Sequence, residues 1–180
     1  MRYILLILLI LCPNLVASTG SSDSRHVLTT IEKIHRLNTL LPTKQAPMIA
    51  RAIDAASRKY NISPDIFVSI IKTESNFNQA AVSVSGDISI AQINVKVWNK
   101  EFKRMKLSLI DAKKLKKSPV YAINVMGRIL TIMHDRYSKK DTRWFARYHS
   151  NTQKHKLEYL SKLRIHSRMF ASIGNPNIIK

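Results

Sequence analysis

The chain has 180 residues, enough for one domain with a sizeable core, and its hydrophobic share of 45% is ordinary for a globular protein. Four glycines and six prolines are too few for a turn-rich all-β fold. The formal net charge of +19 comes from 30 Lys and Arg against 11 Asp and Glu. The excess is concentrated from Asn99 onward, and it suits either an anionic partner (nucleic acid, a membrane surface, a cell-wall polymer) or a plain solvated basic face.

Residues 1–18 have the layout of a secretory signal peptide. Arg2 is the positive n-region, residues 3–12 the apolar h-region, and Val16-Ala17-Ser18 the small residues suited to cleavage after Ala17 or Ser18. The apolar run is shorter than the roughly 20 residues that span a bilayer. Pro13-Asn14 interrupts it, so a stable membrane span is not expected and the periplasm is the expected location. Cys12, the single cysteine, lies inside this leader behind Leu11, where lipid attachment would want a small residue. The mature chain then has no thiol for a disulfide, a zinc cluster or a nucleophile.

Residues 19–45 read as a leader and a helix. The stretch 18–25 is small and polar, and 29–41 carries Ile31, Ile34, Leu37 and Leu41 at helical spacing before Pro42. The main domain is expected over 46–169, with a tail at 170–180. Its first helix spans 46–60, with Ile49, Ile53 and Ala56 on one stripe and Asn61 as a stop. Ser63-Pro64-Asp65 then signals a strong helix start: a capping hydroxyl, a proline for the first turn and an acid for the dipole. That helix continues through Ile66, Phe67, Val68, Ile70 and Ile71, apolar nearly all round, and so is expected to be central. The stretch 76–90, rich in Ser, Val and Asn with Gly86, reads as a loop with short extended pieces. Residues 91–106 return to a helical pattern using Ile93, Val97 and Phe102, and 113–117 is a charge run expected on a solvated surface. Pro119 opens a helix over 120–137 with Ile123, Met126, Ile129 and Met133 on its stripe. A short helical piece at 142–150 and a last helix over 154–169 follow. The fold class is mostly α, a single domain with a short loop or small β region after the helix that carries Glu74.

Glu74 is the one acid in the apolar stretch 66–77, at the end of the helix expected to be most buried. Desolvation raises a carboxyl pKa, and the negative end of the helix dipole acts the same way. A carboxyl protonated near neutrality is what a glycosidic general acid requires. A surface Glu paired with Lys72 would fit the local pattern equally well.

Glu74-Ser75, Phe77-Asn78, Val82-Ser83, Gly86 and Gln92-Ile93, in that order, resemble the catalytic region of the soluble lytic transglycosylases, which have a goose-type lysozyme-like fold. Downstream, Asn124, Gly127 and Ile129-Leu130 resemble the family's helix with an Asn and a Gly before a hydrophobic pair. Arg147-Tyr148-His149-Ser150, with Thr152, resembles its Tyr-bearing motif, in the form seen in small members attached to secretion, conjugation and pilus systems. The likeness covers about 63–163. It departs at Asp87 and Ser89, where the family has a small residue and Gly.

The resemblance implies these roles. Glu74 protonates the glycosidic oxygen between N-acetylmuramic acid and N-acetylglucosamine, then takes the proton of the muramoyl 6-hydroxyl as a 1,6-anhydro ring closes. Tyr148 hydrogen-bonds Glu74. Ser83, Gln92, Asn94 and Tyr148 bind the substrate, with Ser75 and Asp87 as further candidates. The implied partners are peptidoglycan strands and components of a secretion, conjugation or pilus apparatus; no cofactor is implied. For single residues the bland uses compete: Tyr148 as a core tyrosine, Gln92 and Asn94 as loop braces, and Trp98 and Trp144 as packing rather than sugar platforms. The six histidines show no metal-ligand spacing, and His149 is expected to be structural. One alternative keeps the site: a water held by Asp87 would make a hydrolytic muramidase. Two others are of another class, a cationic nucleic-acid binder and a non-catalytic wall-binding module. The leader and the lack of a recognition-helix motif argue against the first, and the intact Glu74 and Tyr148 against the second.

Overall fold

The computed structural model describes residues 19–150 and 152–170. The leader 1–18 and nearly all of the tail 170–180 lie outside the described residues; Phe170 is within them, buried at the end of the last helix. Seven α-helices follow in order: α1 Thr19–Leu37, α2 Gln45–Tyr60, α3 Pro64–Ser75, α4 Val95–Arg104, α5 Ala112–Lys117, α6 Pro119–Tyr137 and α7 Gln153–Phe170. A 3₁₀ helix, Trp144–Tyr148, precedes α7. Among the described residues there is no named strand, only the isolated antiparallel bridges Val82–Ile88 and Ile88–Ile93. No helix among them is long and apolar enough to cross a membrane.

α3 is the axis of the molecule, packed against α1, α2 and α7. Its start is capped as read from the sequence: the Ser63 hydroxyl accepts from the Asp65 amide at 3.3 Å, and Pro64 occupies the first turn. Phe67, Val68, Ile70 and Ile71 are fully buried. Asp65 also takes the Lys33 ammonium at 2.5 Å, a buried ion pair that fixes α1 across the start of α3. α3 ends where Asn76 adopts a left-handed φ of 52°, a conformation Asn tolerates better than most residues.

Four elements differ from the sequence reading. α1 starts at Thr19, ten residues before the expected 29, so the small polar stretch from Thr19 is helical rather than a loose leader. α4 starts at Val95 and not at 91, because Gln92 takes a φ of 45° and Asn94 caps the helix by accepting from the Val97 amide at 3.1 Å. The charge run 113–117 is helix α5, capped by Asp111, and its Leu115 is fully buried, so only its lysines face solvent. The helical piece within 142–150 is a single 3₁₀ segment.

α6 packs along α2, and Gly127 sets how closely. A Cβ at Gly127 would fall inside the van der Waals surface of the Tyr60 ring. That ring cannot swing away cheaply, because its hydroxyl donates to Asn124 Oδ1 at 2.9 Å. Gly127→Ala is therefore expected to destabilise the protein. Overpacking costs about 1–3 kcal/mol, against a helix-propensity gain of about 1 kcal/mol. Thermal unfolding should show a Tm lower by a few degrees; an unchanged or raised Tm would mean that the helices separate without cost.

Candidate active site

Glu74 occupies the last turn of α3, where the helix leaves the core and meets a cleft of about 340 Å³. The cleft is lined by Glu74, Ser85, Asp87, Gln92, Asn94, Val97, Trp98, Met133, Arg147, Tyr148, His149 and Ser150. A larger groove of about 510 Å³ between α1 and α2 lies apart from these residues, and its Asp54 is paired with Arg58.

The Glu74 side chain is 13% exposed, and its Oε1 accepts a 2.7 Å hydrogen bond from the Tyr159 hydroxyl. Burial pushes its pKa up to about 7; the Tyr159 hydrogen bond pulls it down, the charge of Asp87 pushes it up and Lys162 pulls it down. Desolvation wins, so the carboxyl can keep its proton near neutrality. Burial holds the Tyr159 hydroxyl far above the usual tyrosine range, so it stays a donor.

Asp87 sits in the same cleft and behaves in the opposite way. Burial alone would raise it, but hydrogen bonds from Ser85, Asn94 and Ser83, with the charge of His149, hold it below the usual carboxylate range. Its Oδ2 accepts from Ser83 at 2.9 Å and Ser85 at 2.7 Å, and its Oδ1 from Asn94 Nδ2 at 2.9 Å. The cleft thus pairs a carboxyl raised toward neutrality with one held ionised, a separation that assigns acid and counter-charge.

The remaining candidates are largely occupied in holding the wall between α3 and α4. The Ser75 hydroxyl donates to the Ile90 carbonyl at 2.7 Å, tying the end of α3 to the loop. Gln79 Nε2 donates to the carbonyls of Leu115 and Lys116, which anchors the loop on α5. Gln92 Nε2 donates to the carbonyls of Ala81 and Ser89, each at 3.0 Å. Asn94 both caps α4 and braces Asp87. Gln92, Asn94 and Asp87 line the cleft, whereas Ser75 and Ser83 are not among its lining residues. Ser89, where the resemblance expects Gly, is buried with a φ of 76°. This left-handed conformation is costly for a residue with a Cβ.

One expected contact is corrected. The Tyr148 hydroxyl does not bond Glu74 but donates to the Ala91 carbonyl at 2.8 Å, pinning the 3₁₀ helix to the loop. Tyr159, buried in the second turn of α7, makes the bond to Glu74 instead. Local pattern offered one clue: a tyrosine at helical spacing with Leu163 needs a partner for its hydroxyl when buried. His149, expected to be structural, stands with Nδ1 3.9 Å from Glu74 Oε1. Of the two tryptophans, Trp144 is core and Trp98 lines the cleft. Among the described residues no group of three or more His, Cys, Asp or Glu converges as a metal site would.

The 3₁₀ helix is held from behind by Asp141. Its Oδ2 accepts from Lys156 Nζ at 2.5 Å and Arg147 Nε at 3.1 Å, while Oδ1 caps the Arg143 amide at 3.0 Å. The Lys156 side chain is only 4% exposed.

The family model for the transglycosylase SLT domain matches residues 51–160, a span that runs from α2 into α7 and includes Glu74, Tyr148 and Tyr159. No curated protein matches the chain.

Proposed function

We propose that the chain, which belongs to the transglycosylase SLT domain family, cleaves the bond between N-acetylmuramic acid and N-acetylglucosamine in peptidoglycan and leaves a 1,6-anhydro end. The observation that carries this reading is a single largely buried carboxyl, Glu74, its pKa raised to about 7 at a cleft, with its hydrogen bond from Tyr159 already in place. Glu74 gives its proton to the leaving oxygen as the C1–O bond breaks and positive charge builds on the sugar. The resulting carboxylate accepts the proton of the muramoyl 6-hydroxyl, whose oxygen closes onto C1. The same group is acid and then base, so a second catalytic carboxyl is not needed, unlike the usual glycosidase pair.

The hydrolytic reading has one observation in its favour, the ionised Asp87 in the same cleft. Against it, both Asp87 oxygens are already occupied by Ser83, Ser85 and Asn94, which suits a brace and a counter-charge better than a water-holding base. The basic surface and the leader pattern in residues 1–18 support action on the anionic wall in the periplasm. The motif around Tyr148 supports service to a secretion, conjugation or pilus apparatus.

Mass analysis of muropeptides released from purified sacculi separates the readings. Anhydro ends are expected from the wild type and from Asp87→Asn, which stays active because an amide can satisfy Asn94 with its oxygen and the serine hydroxyls with its nitrogen. Removing the Asp87 charge also removes an upward push on Glu74, so the alkaline limb of the pH–rate profile should move to lower pH. Reducing ends from the wild type, together with a folded but inactive Asp87→Asn, would establish the two-carboxylate hydrolase instead.

A further inference from the structure

We propose that His149 is a positioning residue for Glu74: its ring holds Tyr159 in place by stacking, and it must be neutral for the site to work. The inference rests on Glu74 being the acid/base. His149 follows the 3₁₀ helix and lies parallel to the Tyr159 ring, with centroids 4.9 Å apart and an interplanar angle of 6°. Tyr159 in turn places its hydroxyl on Glu74 Oε1, the oxygen that His149 Nδ1 approaches to 3.9 Å. The imidazole therefore acts on Glu74 in two ways, mechanically through the stacked tyrosine and electrostatically across a gap too long for a hydrogen bond. Its side chain is 51% exposed at the cleft wall, where it exchanges protons with solvent.

The groups around His149 decide its charge. Burial opposes protonation most, and Lys162 and His155 on α7 act the same way; Asp87 on the loop and Glu158 on α7 favour it. The first set prevails and lowers the His149 pKa below its ordinary 6.5, which favours the neutral ring near neutrality. Glu74 faces it from α3, Tyr148 and Arg147 from the preceding turn.

A proton on His149 would oppose the charge build-up on the sugar and the later proton uptake by Glu74. An imidazolium next to the cleft opposes the positive charge that develops on the sugar. It also stabilises the Glu74 carboxylate, making that carboxylate a weaker base toward the 6-hydroxyl. The acid limb of the pH–rate profile thus belongs to His149 and the alkaline limb to Glu74.

The test compares initial rates on purified sacculi for the full-length wild type, His149→Phe and His149→Ala, taken as ratios at each pH so that titration of the substrate cancels. His149→Phe keeps a stacking ring and cannot take a proton. Whatever its rate at neutrality, its profile should lack the acid limb, while below the His149 pKa the wild type falls by about tenfold per pH unit. His149→Ala should be slower at every pH, having lost the stack. An acid limb unchanged in His149→Phe, or a His149→Ala indistinguishable from the wild type, overturns the proposal. Titration of the His149 ring by NMR gives a readout apart from activity: a pKa below the ordinary 6.5 is expected, and one above it overturns the assignment. Glu74→Gln serves as the control, since activity in that variant would overturn the reading of the site itself rather than the part played by His149.

Discussion

Glu74→Gln should leave a folded protein that releases almost no muropeptide from sacculi. A positioned acid/base contributes roughly 10²- to 10⁴-fold, and here one carboxyl serves both steps. The substitution isolates the proton. Glutamine keeps the length of the side chain and an oxygen to accept the Tyr159 hydroxyl, which stays a donor at every working pH. The site is also suited to a neutral group, because burial already drives the carboxyl toward its protonated form. Unfolding curves for the variant and the wild type should therefore nearly coincide while the rates part by two orders of magnitude or more. Full activity in Glu74→Gln would remove Glu74 from the chemistry.

Asp141→Ala should have the largest effect on stability. It leaves the Lys156 ammonium, 4% exposed, without its carboxylate, and releases Arg147 from the same oxygen. Breaking a buried pair costs about 3–5 kcal/mol, and the lower end applies because Asp141 itself is 11% exposed and retains some solvent contact. Denaturant unfolding at neutral pH measures this. The same carboxyl sets an acid limit on stability. Burial pushes Asp141 up, but Lys156, the Arg143 amide and Arg147 outweigh it and hold the pKa below its ordinary 3.8. A depressed folded-state pKa gives stability that is present above the unfolded value and lost as pH falls through the folded one. Wild-type stability should decline below about pH 4, and the part due to Asp141 should be absent from the decline in Asp141→Ala. A loss under 1 kcal/mol at neutrality would mean that Lys156 finds water when its partner is removed.

Local signals carried much of the architecture. The run Ser63-Pro64-Asp65 marks the start of α3 because each residue satisfies an orphan group or the dipole within one turn, and Asn61 marks the stop of α2 because it takes the left-handed conformation. Glu74 stood out since an acid in a long apolar run must be either protonated or paired. Legibility failed where a side chain answers to a distant partner. Tyr159 bonds a residue 85 positions away, and Tyr148 one 57 away, so nothing in either neighbourhood distinguishes which tyrosine reaches the carboxyl. The start of α4 was misplaced because Ile93 continues the apolar spacing of the helix, while the backbone at Gln92 and the Asn94 cap delay its start by one turn. The lysine run over 113–117 hid Leu115, a single buried anchor among four charges.

The wall between α3 and α4 has almost no ladder, yet Ser75, Gln79, Gln92, Asn94 and Asp87 fasten it to α3, α5 and itself. Ordering a residue costs about 1–2 kcal/mol of conformational entropy. In this wall that cost falls within folding, so a glycan strand meets a surface that does not have to freeze on contact, and the binding energy remains available for orienting the sugar. The same rigidity limits tolerance: a substituent that does not fit between Asp87 and Trp98 meets a brace that cannot yield, and is turned away rather than accommodated.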